Sequence, residues 1–107
     1  KEEIIEPERP IIDPHHHLWF GGGAPDYLLK DLWNDTTSGH NIVKTVFIEC
    51  GVGYRETGPD YLKSVGETEF AASIAMQSAV AAPTQAVIAG IVGFTDLTLG
   101  DELEETL

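Results

Sequence analysis

Ile42-Val43-Lys44-Thr45-Val46-Phe47-Ile48-Glu49-Cys50 and Ala86-Val87-Ile88-Ala89-Gly90-Ile91-Val92-Gly93-Phe94 are the two runs on which the fold turns. Both are rich in β-branched residues, and neither alternates cleanly between apolar and polar positions. Strands covered on both faces read this way, as they do in a parallel sheet. A shorter apolar pair, Ile11-Ile12, leads into Asp13-Pro14-His15-His16-His17-Leu18-Trp19 and reads as a first strand.

Helical patterns separate the three runs. Leu28, Leu29, Leu32 and Trp33 repeat as i, i+1, i+4, i+5, which predicts a helix over Asp26 to Trp33. Asn34 to Ser38 reads as a turn, with Gly39 as the stop. Ser64 to Ala82 reads as a longer helix, with Phe70 and Ile74 four apart, Met76 and Val80 four apart, and Pro83 closing it. Leu99, Leu103 and Leu107 are again spaced by four, and Asp101 and Glu102 suit a helix N-terminus, so a further helix is expected to begin there. Strands alternating with helices imply parallel βαβ units and an α/β fold, in one domain over residues 1–107. Three strands cannot close a barrel and would leave sheet edges exposed. The chain therefore reads as the opening part of a larger domain, and by itself is expected to be inactive.

Composition narrows the partners. With 107 residues, 42% of them apolar, there is room for one packed domain. A formal net charge of −12 would repel a phosphate backbone or an anionic membrane surface, so neither nucleic acid nor membrane is expected as a partner. Much of the acid lies at the ends, as Glu2, Glu3, Glu6 and Glu8 and then Asp101 to Glu105, and such runs are usually solvated faces. Cys50 is the one cysteine, so no internal disulfide can form. No stretch approaches the ~20 apolar residues of a membrane span, and the first residues lack the layout of a signal peptide. A cytoplasmic location is the expectation.

Asp13-x-His15-x-His17 is the main chemical signal. Along a strand, His15 and His17 project to one side and His16 to the other, which lets two imidazoles converge on one divalent ion. Asp13 is expected to hold a histidine or cap the turn rather than bind a metal. Glu49, at the end of the second strand, is a catalytic candidate, with a solvated strand-end acid or a partner for Arg55 as the alternatives. Arg55, next to Tyr54 in the following loop, could clamp a substrate carboxylate or be a surface cation. Glu67 and Glu69 read as acids at a helix N-terminus, His40 as lying at the non-catalytic end of a strand, and Cys50 as a packing residue.

Ile11-Ile12-Asp13-Pro14-His15-His16-His17-Leu18-Trp19 resembles the first strand of the amidohydrolase superfamily, in its amidohydrolase family 2 branch. Thr45-Val46-Phe47-Ile48-Glu49-Cys50-Gly51, Val65-Gly66-Glu67-Thr68-Glu69-Phe70 and Ala89-Gly90-Ile91-Val92-Gly93 extend the likeness toward the sugar-lactone and dicarboxylate-lactone hydrolases of that branch. The resemblance implies the N-terminal three βα units of a (β/α)8 TIM barrel. It also implies a divalent metal, Zn2+, on His15 and His17, although some lactonases keep these histidines without a metal. The implied activity is hydrolysis of a lactone or related C–O or C–N bond in a small molecule. A metal-dependent decarboxylase of the same superfamily and a non-catalytic metal-binding piece are the alternatives. The family's remaining ligands and general base belong to later strands.

Overall fold

The computed structural model describes residues 2–107. Strand β1 (Pro10–His16) is followed by helix α1 (Leu29–Thr36), β2 (Asn41–Ile48), α2 (Val65–Val80) and β3 (Val87–Val92). The three strands form one parallel sheet in the order β1-β2-β3, so each crossover carries one helix. Single 3₁₀ turns occur at Asp60–Leu62, and a 3₁₀ segment spans Leu97–Glu105.

Both helices pack on the same face of the sheet. Leu29 and Leu32 of α1 and Ala71 of α2 meet Phe47 of β2 and Ile88 of β3, with Leu18 from the loop after β1. The pattern on α2 is Glu67, Ala71 and Ser78, all buried on one stripe, and Ser78 Oγ accepts the Ile88 N–H at 2.9 Å. Small residues there let the helix lie close to β3.

The opposite face of the sheet is bare. Ile12 remains 59% exposed and Val92 49%, with Val46 and Ile48 half-buried between them. The apolar runs in β2 and β3 predict cover on both faces; among the described residues only the helical side has it.

Register faults decide which side chains reach which face. Asp13 lies opposite Thr45 and His16 opposite Phe47, so three residues of β1 span what two residues of β2 span. This is a β-bulge at Pro14–His15. Neighbours across a pleated ladder project to the same side, so Asp13, His16, Thr45 and Phe47 all face the helices. Without the extra residue His15 would have faced them instead.

Two expected elements differ. α1 begins at Leu29 rather than Asp26, because Tyr27 and Trp19 exchange two backbone hydrogen bonds (2.9 and 3.0 Å) that keep the chain extended through Leu28. It runs on to Thr36 because Thr36 and Thr37 hydroxyls donate to the Trp33 carbonyl and Ser38 Oγ to that of Asp35, so the expected turn residues close the helix. The expected α-helix through Leu99, Leu103 and Leu107 does not form. Gly100, at φ 63°, breaks it into two 3₁₀ pieces; Leu103 is buried but Leu107 is 87% exposed. No helix among the described residues is long and apolar enough to cross a membrane.

Candidate functional site

The bulge brings His15 and His17 together on the side away from the helices and turns His16 inward. His16 Nε2 lies 2.9 Å from Thr45 Oγ1, and its ring stands edge-on against Phe47. Burial pushes its pKa below the ordinary value, outweighing the opposing pull of the His17 carbonyl and Asp13. His16 is thus a packed, neutral imidazole.

His15 Nε2 and His17 Nε2 are 3.3 Å apart, with the rings nearly perpendicular. His17 Nδ1 lies 2.8 Å from the Ile48 carbonyl oxygen at the end of β2. A carbonyl can only accept, so Nδ1 carries a proton, and a lone pair, where the ring has one, is at Nε2. Asp13 Oδ1 accepts the His15 backbone N–H at 3.1 Å, which holds the bulge. Its role falls on the backbone of a histidine, in line with the expectation.

That geometry suits a cation. Two imidazole ligands ~2.0–2.1 Å from a tetrahedral ion stand roughly 3.4 Å apart, close to the separation seen here. Among the described residues no group of three or more His, Cys, Asp or Glu side chains is arranged to hold a metal. The pair accounts for two ligands.

The other candidates lie elsewhere. Glu49 continues the ladder, its N–H donating to the Val92 carbonyl at 2.9 Å. Strand alternation directs its side chain opposite to that of Ile48, toward the face of Thr45 and Phe47. Arg55 Nε donates to Glu69 Oε1 at 2.7 Å in an exposed pair, so Glu69 rather than Glu49 is its partner. Cys50 Sγ donates to the Leu18 carbonyl at 3.4 Å. Burial, then the carboxylates of Glu67 and Glu49, push its thiol pKa up, the opposite of what activates a nucleophile.

Glu67 has a role that the sequence reading missed. It is 1% exposed, and its Oε2 accepts the N–H groups of both Cys50 and Val52 at 2.9 Å. An acid in a first helical turn has a sufficient explanation in the macrodipole, which hides a clamp. The available signal was its place on the Ala71–Ser78 stripe, beside Gly66. Comparison of the chain with protein-family models, curated proteins and solved structures finds no match.

Proposed function

We propose that this sheet is the first three βα units of a (β/α)8 barrel, and that the protein is a metal-dependent hydrolase of the amidohydrolase type acting on a lactone. The observation that carries the reading is the 3.3 Å convergence of His15 Nε2 and His17 Nε2, with the His17 tautomer fixed by the Ile48 carbonyl. The bare apolar face through Ile12, Val46, Ile48 and Val92 supports the barrel, since parallel sheets are covered on both faces and a barrel interior is packed. The first-strand resemblance supports the hydrolase.

His15 and His17 would hold a divalent cation such as Zn2+, which when bound supplies Lewis acidity toward a carbonyl oxygen and toward water. For that, His15 would carry its proton on Nδ1 and free Nε2, the arrangement that the Ile48 carbonyl favours at His17. His16 keeps the strand seated, and Asp13 keeps the bulge. Glu49, just past the end of β2, remains the candidate catalytic acid, and Arg55, in an exposed pair with Glu69, the candidate clamp for a substrate carboxylate.

The test, made on the complete barrel that the proposal implies, is zinc and cobalt binding by calorimetry, together with hydrolysis of a panel of sugar lactones. His15→Ala and His17→Ala should each weaken metal binding at least ~10-fold and lower turnover in parallel. Full activity in metal-stripped protein would overturn the metal reading and make the histidines hydrogen-bond donors to the carbonyl.

A further inference from the structure

We infer that Glu67 is a positioning residue for the histidine pair, acting through the backbone of the loop after β2; in its bearing on metal this rests on the reading above. Three connections meet in that loop. Glu67 Oε2 holds the Cys50 and Val52 N–H groups. Cys50 Sγ holds the carbonyl of Leu18, the residue after His17. Two residues before Cys50, the Ile48 carbonyl sets the tautomer of His17. One buried carboxylate therefore fixes the loop that touches the histidine-bearing segment at two points.

The rest of the contact is built for close approach. Gly66 presses directly on the backbone at Gly53 and Arg55, and Arg55 N donates to the Lys63 carbonyl at 2.9 Å. These contacts seat the start of α2 against the loop. They leave the direction of the Cys50 and Val52 N–H groups to Glu67. Its second oxygen, Oε1, is buried without a hydrogen-bond partner among the described residues. An unpaired buried acceptor is unfavourable. A structural acid would more economically use both oxygens; this one spends a single oxygen on two donors and aims the loop.

The geometry separates acceptor from charge. Both N–H groups reach the same oxygen, so Glu67→Gln keeps the acceptor with its one carbonyl oxygen. Glu67→Met fills similar space and removes it, and Glu67→Asp withdraws it by one methylene.

The experiment records His17 ring-nitrogen chemical shifts by NMR in the metal-free protein, and separately the cobalt dissociation constant. Glu67→Gln should keep the His17 Nδ1–H pattern and bind cobalt within about threefold of wild type. Glu67→Met should mix the tautomers and weaken binding about 10–100-fold, the range found when supporting partners of metal ligands are removed. If the Met variant does not fold, Glu67→Asp decides, with the same direction of change expected. Wild-type His17 shifts in a folded Met or Asp variant would overturn the proposal, as would equal loss in Glu67→Gln. Wild-type protein that binds no cobalt would refute the metal reading alone, because the tautomer readout needs no metal.

Discussion

Gly66→Ala tests the packing on which the loop after β2 depends. A Cβ at this position would lie 2.5 Å from both the Arg55 nitrogen and the Gly53 oxygen, and 3.0 Å from the Tyr54 carbonyl carbon. All three are backbone atoms, so no side chain can swing away. Relief requires α2 and the loop to part by roughly 1 Å, to reach the ~3.5 Å at which non-bonded contacts become favourable. Glu67 is the next residue, and its two 2.9 Å hydrogen bonds to the loop would be stretched out of range. Overpacking costs about 1–3 kcal/mol, and stranding the buried carboxylate about 1–3 kcal/mol more. Alanine's better helix propensity offsets about 1 kcal/mol of this. The net expectation is a loss of about 1–5 kcal/mol, read as a lowered urea midpoint at unchanged m-value. Amide exchange at Cys50 and Val52 should accelerate in the same variant. The sign decides the matter: a Gly66→Ala protein as stable as wild type, with those amides still protected, would refute the close approach.

Two further outcomes are expected. Because the buried His16 has its pKa lowered, the unfolded chain takes up a proton at higher pH than the folded one. Its contribution is present above the ordinary value of 6.5 and is lost as pH falls through the folded pKa. Urea midpoints between about pH 7.5 and 5 should therefore fall with pH, and the slope should shrink in His16→Gln; an unchanged slope would sink the assignment. At the C-terminal segment, Leu103→Ala should cost about 2–3 kcal/mol, whereas Leu107→Ala should change stability by less than about 0.5 kcal/mol. Comparable losses from both would restore the continuous helical stripe.

The strands were legible because β-branched runs need little context: Ile42 to Cys50 and Ala86 to Phe94 contain β2 and β3 with small errors at the ends. The helix boundaries were less so. α1 is delayed by a Trp19–Tyr27 backbone pairing that joins residues eight apart, and no periodicity reports such a bridge. The spacing of Leu99, Leu103 and Leu107 fits an α-helix, but one glycine at positive φ overrides three leucines. At the site, alternation alone paired His15 with His17 and separated His16. It did not foretell that His16 would find Thr45, or that Glu67 would serve a loop rather than a helix dipole. Both depend on contacts across 15 to 29 residues, which local pattern does not encode.

The extra residue at Pro14–His15 makes the spacing of this segment matter independently of its chemistry. Counting along β1 against β2, it works as an odd–even switch: residues beyond it take the opposite side from the one that the count from Asp13 assigns. Removing Pro14 would keep three consecutive histidines and let His16 meet Phe47 with no bulge, so the same imidazole would stay inside. Pairing the full-length segment without the bulge would instead exchange the inner imidazole for the outer pair and present Thr45 and Phe47 with the wrong rings. A scan of substitutions would pass over this dependence, since no one side chain carries it. Chains sharing the His-x-His letters and the same length, one paired with the bulge and one without, would be expected to place them on opposite faces of the sheet, so the register of the segment is as much a part of the motif as its letters.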